Sequence, residues 1–221
     1  MSSAEATAPR RGGRPSRAAA EQLGETILET ATEAFLKDGY GSTSIEAIAQ
    51  AAGISKRTLY ARYAGKPELF AAVVARIVEQ IRPPPNVPLL VGKTPEEILE
   101  RLGGLMLRAA LSPRALALNR LMVAEAQRFP ELLSGLTGER GRPEAVALIT
   151  SVLRGRTDAP PLSAADAEFA AGQFIQLIVS WPQRRALVAG EQMTAEEQAD
   201  WARRTTRLFL DGCSGLGRPQ R

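Results

Sequence analysis

Apolar side chains recur every three or four residues along most of this chain, and this spacing most limits what it can fold into. In the first such stretch they lie on one stripe of a helix from about Ala19 to Asp38: Ile27, Leu28, Ala31, Ala34 and Phe35. A stripe of this period is typical of an amphipathic α-helix with one face on a core. No alternating run of β-branched residues predicts a strand. We therefore expect an all-α fold.

Helix starts and stops divide the rest of the chain. Thr94, Ser163 and Thr194 each precede an acid by three residues, which is the pattern of a capping box at a helix start. Ser44 and Ser55 are further candidates for N-cap residues. The predicted helices after the first are residues 45–52, 56–63, 66–81, 94–111, 113–128, 142–154, 163–181 and 194–211.

Four prolines between residues 82 and 93 interrupt regular structure there, because proline lacks a backbone N–H. This stretch predicts a connection between two helical parts of the chain. Residues 1–19 predict a flexible basic arm, since they hold four arginines, one acid and several helix-breaking Gly and Pro residues. On composition alone, a solvated tail explains that arm equally well.

The composition excludes several chemistries. The 221 residues include no histidine, so His-based acid–base catalysis, Ser-His-Asp triads and most zinc sites are excluded. The one cysteine, Cys213, cannot form an internal disulfide and fits a reducing compartment. A formal net charge of +4 permits nucleic-acid binding without arguing strongly for it. No apolar run long enough for a membrane helix or a signal peptide occurs, so we expect a cytoplasmic protein.

Residues 44–70 carry the most informative motif. Two short helices are predicted on either side of a tight turn at Gly53, and the second begins with Lys56 and Arg57. Between Gly53 and Lys66 the chain holds four cations and no acid. A helix about 10–12 Å across fits the major groove of DNA, which is about 12 Å wide. The motif therefore favours a helix-turn-helix that reads DNA; a helical hairpin with an ordinary charged surface is the alternative.

Each candidate DNA contact follows from side-chain chemistry. Lys56 and Arg57 can donate to the O6 and N7 atoms of guanine, and Thr58 and Tyr60 suit a phosphate oxygen or a thymine methyl group. Helix N-termini favour phosphates, and a basic arm can add phosphate or minor-groove contacts. The candidate DNA-binding residues are Arg14, Ser44, Ser55, Lys56, Arg57, Thr58, Tyr60, Arg62 and Lys66.

Over about residues 20–72 the chain resembles the DNA-binding domain of the TetR family of transcriptional regulators. The matching residues are Ala31, Phe35, Gly39, Tyr40, Ser44, Ile48, Ala49, Ala52, Gly53, Ser55, Thr58, Leu59, Tyr60, Tyr63, Lys66, Glu68 and Leu69. The Gly-Arg-Pro-Ser of residues 13–16 is also typical of the family's arm. Tyr63 stands where Phe is commoner, and Arg62 where the family often has His, which leaves the target of that contact open. Residues 120–133 resemble the corresponding segment of AefR-like regulators of the same family.

The resemblance implies a three-helix helix-turn-helix domain at residues 20–66, a connecting helix at 67–82, a ligand-binding and dimerisation domain at 94–212 and a tail at 213–221. Candidates for an apolar ligand pocket are Leu105, Met106, Leu118, Met122, Phe129 and Phe174. Candidates for a dimer interface on the last two long helices are Ala167, Ala171, Ile178, Trp201 and Leu208. On periodicity alone, packing within one chain explains both sets as well. Glu125 and Gln173 are either surface groups or polar handles for a ligand.

These observations predict a sequence-specific DNA-binding regulator, namely a ligand-responsive homodimeric repressor that binds a near-palindromic operator through helix 56–63. Its partners would be that operator, a second copy of the chain and an unidentified small-molecule effector. We expect no cofactor, metal, membrane contact or enzymatic activity, because no phosphate-binding glycine loop or cluster of carboxylates occurs. The alternative is a basic helical protein of nucleoid type that binds DNA without sequence preference.

Overall fold

The computed structural model describes residues 17–83, 87–129, 142–157 and 160–213, and these residues form nine α-helices without a strand. In chain order they are α1 (Arg17–Asp38), α2 (Ile45–Ala51), α3 (Lys56–Tyr60), α4 (Lys66–Ile81), α5 (Pro95–Ala110), α6 (Pro113–Glu125), α7 (Arg142–Arg154), α8 (Ala164–Val188) and α9 (Ala195–Cys213). The prediction of an all-α fold is confirmed. Most helix ends lie within three residues of the predicted ends, and two helices differ in an informative way.

Helix α3 is shorter than predicted, because it ends at Tyr60 rather than at Tyr63. After Tyr60 the backbone tightens, since the Arg62 N–H donates to the Leu59 carbonyl over only three residues, at 3.0 Å. The Tyr63 N–H donates to the same carbonyl, also at 3.0 Å. The reading helix proposed for residues 56–63 is therefore one short helix followed by a turn.

Helix α8 is longer than predicted, because it continues through Pro182 to Val188. Proline at this position has no N–H to donate to the carbonyl four residues earlier, which belongs to Ile178. The Trp201 side chain on α9 replaces that donor, since its Nε1–H bonds the Ile178 carbonyl at 3.0 Å. The helix therefore tolerates an internal proline, and the replacement bond ties α8 to α9.

The buried apolar residues form two cores. The first lies among α1, α2, α3 and α4, and α6 adds Leu121 to it; its fully buried centre includes Phe35, Leu59 and Phe70. The second lies among α5, α7, α8 and α9, with Phe174 and Ile178 at its centre. Helix α6 therefore packs on α1 and α4 as well as on α5 and α8.

Charged groups hold α1, α4 and α6 together at the edge of the first core. Arg76 of α4 pairs with Glu29 of α1 at 2.8 Å and also with Glu25. Arg114 at the start of α6 pairs with the other oxygen of Glu29 at 2.7 Å and donates to Gln80 of α4. Because Glu29 bridges both arginines, a shift of α4 would disturb its contacts with both neighbouring helices.

The bond between Trp201 and the α8 carbonyl predicts a double-mutant effect. Trp201→Phe should lower the free energy of unfolding by about 1–3 kcal/mol, because the Ile178 carbonyl is left without a donor. In a Pro182→Ala background the restored backbone N–H should take that carbonyl, so the same change should cost less. Chemical denaturation of the four variants measures this coupling. Equal costs of Trp201→Phe in both backgrounds would contradict the assignment.

Candidate nucleic-acid interface

The turn between α2 and α3 has a geometry that fixes the angle at which α3 leaves α2. Gly53 has φ +68°, a left-handed conformation that suits glycine. Its N–H donates to the Gln50 carbonyl at 3.1 Å, and the Ile54 N–H donates to the Ala49 carbonyl at 2.9 Å. These two bonds form a Schellman motif, and Ile54 packs on the first core beside it. The turn is therefore built from backbone bonds and one apolar anchor.

Helix α3 has one buried side and one exposed side. Leu59 is fully buried, and the half-buried Tyr63 packs on the same core just after the helix. Burial raises the pKa of the Tyr63 hydroxyl, against the opposing charge of Arg62. Arg57 is exposed and Tyr60 is 48% exposed on the other side of the helix. The anchored side thus holds these two side chains towards solvent.

The four cations of this region differ in how free they are. Lys56 pairs with Glu46 of α2 at 2.7 Å, and the hydrogen bond from Lys56 is the main cause that holds the pKa of Glu46 below its usual value. Arg62 donates to the Ala20 carbonyl of α1 and lies against that helix. Among the residues that the structure describes, Arg57 is the one of the four without an acid or carbonyl partner.

Lys66 is partly buried at the start of α4. Its Nζ donates to the Gly41 carbonyl at 3.1 Å and lies 4.5 Å from the centre of the Tyr40 ring. Burial lowers the pKa of Lys66, and the Glu125 carboxylate opposes that shift. To reach a DNA phosphate, Lys66 would have to leave the Gly41 carbonyl.

The hydroxyl groups of the candidate set cap helices. The Ser44 hydroxyl accepts the Ala47 N–H at 3.0 Å, and the Ser55 hydroxyl accepts the Thr58 N–H at 3.1 Å. The Ser55 and Thr58 hydroxyls also bond each other at 2.8 Å. Their local role is to start α2 and α3, which sets the positions of Arg57 and Tyr60. The remaining candidate, Arg14, lies outside the described residues.

The structure corrects the predicted ligand pocket, because its six residues do not surround one cavity. Leu105 and Met106 line a cavity bounded by α4, α5, α7 and α8. Leu118 and Met122 line a separate groove between α4 and α6 and pack on the first core. The other two candidates are core residues, since Phe129 packs on Tyr40 with ring centres 4.8 Å apart and Phe174 is fully buried in the second core. Helical spacing alone could not separate these surroundings.

The cavity that holds Leu105 and Met106 has a volume of about 590 Å³. This volume lies within the usual range of about 300–1,000 Å³ for small-molecule sites. Its walls are mostly aliphatic and include Leu102, Leu148, Ile149 and Ile175. The polar side chains of its lining are Glu79, Arg82 and Glu144. Residue spacing does not indicate these three side chains, because residues 82 and 144 come together only when α7 packs beside the end of α4.

The structure also separates the two mid-helix polar residues. Gln173 is exposed and is therefore a surface group. Glu125 is buried at the end of α6, where its Oε1 accepts the Gly41 N–H at 3.0 Å. Glu125 thus neither lies on the surface nor faces the apolar cavity; it holds the turn between α1 and α2. Glu125 and Gly41 are far apart in the sequence, so only the folded structure could reveal this contact.

The structure corrects most of the predicted dimer interface. Ala167, Ala171 and Ile178 are fully buried against their own protomer and cannot touch a second copy. Trp201 is partly buried and uses its indole N–H on the Ile178 carbonyl. Leu208 is 70% exposed and remains available. The spacing of apolar residues correctly identified an apolar face on α8. That face, however, packs on α5, α7 and α9 of the same protomer.

Several large apolar side chains of α8 are exposed to solvent. They recur at intervals of four, seven and eight residues: Phe169, Leu177, Trp181 and Val188. Leu208 is exposed on the neighbouring α9. We name these five side chains the α8–α9 face. Isolated exposed apolar residues are common on protein surfaces, but five large ones on two neighbouring helices need a further explanation.

Other kinds of site receive no support from the described ranges. No group of three or more potential metal-ligating side chains occurs there. Within the same ranges, no helix combines the length and the apolar character that crossing a membrane requires.

Comparison with protein-family models matches both parts of the chain. Residues 27–73 match the model described as bacterial regulatory proteins, tetR family. Residues 97–212 match the model described as AefR-like transcriptional repressor, C-terminal domain. The second match alone spans more than half of the 221 residues.

Individual proteins agree with the family models. The HTH-type transcriptional activator FasR of Mycolicibacterium smegmatis is 38% identical over 72 residues, which are 33% of this chain and 32% of FasR. The chain thus spans about a third of the length of that curated relative. A TetR-family transcriptional regulator of Mesorhizobium loti is 25% identical, with a TM-score of 0.70 over 90% of this chain and 98% of that one. A TetR family transcriptional regulator of Pseudomonas syringae is 27% identical, with a TM-score of 0.64 over 86% and 96%.

The freedom of Arg57 predicts that it contributes most to base discrimination. Arg57→Ala should weaken binding to a preferred duplex by about 1–3 kcal/mol and relax the preference at one base pair. Fluorescence anisotropy titrations with a panel of single-base variants measure both effects. Arg101→Ala, a change of an exposed arginine on α5, is the matched control. An unchanged base preference in Arg57→Ala would place the reading residues elsewhere.

The ion pair between Lys56 and Glu46 predicts that neutralising Glu46 strengthens DNA binding. Glu46→Gln should modestly strengthen binding to all duplexes, because it frees the Lys56 ammonium and removes a negative charge near the phosphates. Binding measured over a range of salt concentrations should show a steeper salt dependence for Glu46→Gln. Glu100→Gln, on α5, is the control for loss of one acid. A weaker Glu46→Gln complex would contradict this account of Lys56.

Proposed function

Because this chain belongs to the TetR family of bacterial regulatory proteins, with an AefR-like C-terminal domain, we propose that it is a homodimeric, ligand-responsive transcriptional repressor. The family membership confirms the resemblance seen in the sequence, and the chain is a DNA-binding transcriptional regulator. We add that the chain acts as a repressor. The matched C-terminal model is described as a repressor domain, and this match covers more of the chain than the 72 residues matched to the activator FasR. We propose no catalytic activity for the chain. We also propose that it acts in the bacterial cytoplasm, where the chromosome lies.

The observation that carries the proposal is the exposure of Arg57 and Tyr60 on a short helix anchored by Leu59. A helix with one buried side and an exposed basic residue near its N-terminus can enter the major groove and place that residue on a base edge. The backbone bonds of the turn at Gly53 support a fixed approach angle. Ser44 and Ser55 start the helices whose N-terminal N–H groups can also face phosphates.

We assign the dimer contact to the α8–α9 face instead of to the buried residues predicted first. Two-fold symmetry would place a second copy of the same apolar stripe opposite the first. Trp181 and Leu208 are large enough to act as central anchors in such an interface. A dimer through this face would present two copies of α3, so its operator would have two half-sites one helical turn or somewhat more apart.

The cavity between α4, α5, α7 and α8 is the proposed effector site. Val78, Ile81 and Arg82, in the last turn of α4 and just after it, form part of its lining, while α4 begins at Lys66 beside the DNA-facing helices. A ligand could bind the protein more tightly when α4 is in one of two positions. Such a ligand would favour that position and move the pair of α3 helices away from the spacing of the operator. A coupling of about 1–3 kcal/mol is typical of such regulation.

Selection followed by competition tests the function. Duplexes selected from a random pool by the full chain should contain a near-palindromic site. At fixed salt, the selected site should bind at least about 1,000-fold more tightly than a scrambled duplex of the same composition. Equal binding to both duplexes would support the alternative, a sequence-independent basic protein. A selected site whose occupancy raises transcription in vitro would overturn the repressing mode alone.

The revised interface predicts which substitutions separate the copies. Leu208→Glu and Trp181→Glu should weaken dimerisation by at least about 100-fold, because each would bury an unpaired carboxylate. Sedimentation velocity should show a dimer for the unchanged chain and monomers for these variants at micromolar concentration. Val123→Glu, at another exposed apolar residue on α6, should remain dimeric. Dimers of unchanged stability in both α8–α9 variants would exclude this face.

A further inference from the structure

We propose that Glu125 is a positioning residue for DNA binding, because its buried charge holds both the turn between α1 and α2 and the Lys66 side chain at the start of α4. This inference rests on the proposed function, in which α3 reads DNA. Glu125 is the last residue of α6 and lies in the part of the chain that matches the AefR-like model. It is buried, so it acts on DNA binding through its neighbours and without touching DNA.

Residues 39–41 form a cradle for the Glu125 carboxylate. The Gly41 N–H donates to the Oε1 of Glu125 at 3.0 Å. A Cβ atom at Gly39 would lie 2.9 Å from the same oxygen, which is closer than such atoms pack. A Cβ atom at Gly41 would lie 3.6 Å from Oε2. The absence of a side chain at Gly39 therefore lets the carboxylate lie directly against the backbone of the turn.

Lys66 contacts the same turn from the start of α4. Its Nζ donates to the Gly41 carbonyl at 3.1 Å, so α6 and α4 bind the N–H and the C=O of one residue. Burial lowers the pKa of Lys66, and the negative charge of Glu125 opposes that shift by favouring the ammonium form. The two side chains therefore attract each other across Gly41.

The charge of Glu125 needs a reason, because a buried carboxylate is costly at this position. Its Oε2 is buried without a hydrogen-bond partner among the described residues. A carboxylate at the C-terminal end of a helix also faces the negative end of the helix dipole. A glutamine would accept the Gly41 N–H without burying a charge. What the carboxylate adds over a glutamine is attraction to the Lys66 ammonium, which holds the start of α4 against the turn.

The turn leads directly into the DNA-facing helices. The Thr43 hydroxyl closes the turn by donating to the Gly39 carbonyl at 2.7 Å, and Ser44 then caps α2. Helix α3 follows α2 through the backbone-bonded turn at Gly53. A change in the position of residues 39–43 would therefore reorient α3, and loss of the Glu125 charge would also loosen the start of α4.

Glu125→Gln tests the charge, because glutamine has nearly the same shape and keeps an acceptor for the Gly41 N–H. Fluorescence anisotropy at fixed salt compares the selected duplex with a scrambled duplex. Recognition of the selected site needs a fixed orientation of α3, whereas sequence-independent binding depends mainly on phosphate charge. We expect binding to the selected duplex to weaken by about three- to ten-fold. Binding to the scrambled duplex should stay the same or strengthen slightly, because the variant loses a negative charge.

A purely structural role of Glu125 predicts a different pattern. Partial unfolding would reduce binding to both duplexes by the same factor. Equal losses for the two duplexes, or unchanged binding to the selected duplex, would overturn the inference. Glu100→Gln, on α5, is the control for loss of one acid and should alter neither affinity. The selection of a preferred duplex tests the proposed function before this step, so the two failures are distinguishable.

The attraction between Glu125 and Lys66 gives a second test. Lys66→Met removes the ammonium group and keeps an apolar chain of similar length. In this background Glu125→Gln should weaken binding to the selected duplex by less than about two-fold, because the carboxylate has lost its partner. An equal effect of Glu125→Gln with and without the Lys66 ammonium would contradict the attraction.

Hydrogen exchange tests the contact without any substitution. In the full chain the Gly41 amide should exchange at least about 100-fold more slowly than an unstructured amide, because the buried Glu125 carboxylate accepts it. NMR spectroscopy resolves this amide. Exchange at the unprotected rate would overturn the inference, even if Glu125→Gln failed to fold.

Discussion

The packing of Phe129 on Tyr40 joins the DNA-facing helices to the rest of the chain. The two rings meet edge to face with centres 4.8 Å apart, and Tyr40 in turn packs on Phe70 at 5.0 Å. Beside them the Glu125 carboxylate accepts the Gly41 N–H from the turn between α1 and α2. Because Tyr40, Phe70 and Glu125 are buried, the first core and α6 form one packed unit, and the orientation of α3 depends on where α6 lies.

Helix α4 transmits that orientation to the second core. Its first turn includes Lys66, bonded to Gly41, and its middle is fixed to α1 through Arg76 and Glu29. Its last turn and the following Arg82 line the apolar cavity. A ligand in this cavity therefore contacts the same helix that supports the DNA-facing turn, at the opposite end. The distance between cavity and interface is bridged by a single regular element, which the proposed repressor mechanism requires.

Local features of the fold could be predicted because their causes lie within a few residues. The tight turn at Gly53 and the caps at Ser44 and Ser55 follow from sequence signals, and the structure places them as expected. The extension of α8 past Pro182 could not be predicted, since it depends on a donor from Trp201 on another helix. The apolar pattern of α8 likewise could not show which of its apolar side chains pack inside the protomer and which stay exposed.

The exposed basic side of α3 could be predicted from the sequence, whereas the ion pairs of the cations could not. The exposed basic side of α3 follows from the positions of Leu59 and Arg57, and the family comparison supports its role. The pairing of Lys56 with Glu46, and of Arg82 with Glu144, arises from packing between helices and has no signature in residue spacing. The first of these pairings nevertheless decides which cations of α3 are free.

Methylation interference shows directly whether α3 reads bases from the major groove. Methyl groups at guanine N7 block the major groove, whereas methyl groups at adenine N3 block the minor groove. If α3 does so, we expect interference at guanine N7 in two symmetric patches about one helical turn apart, with one position in each patch insensitive in Arg57→Ala. Interference confined to adenine N3, or no interference at any base, would contradict major-groove reading by α3.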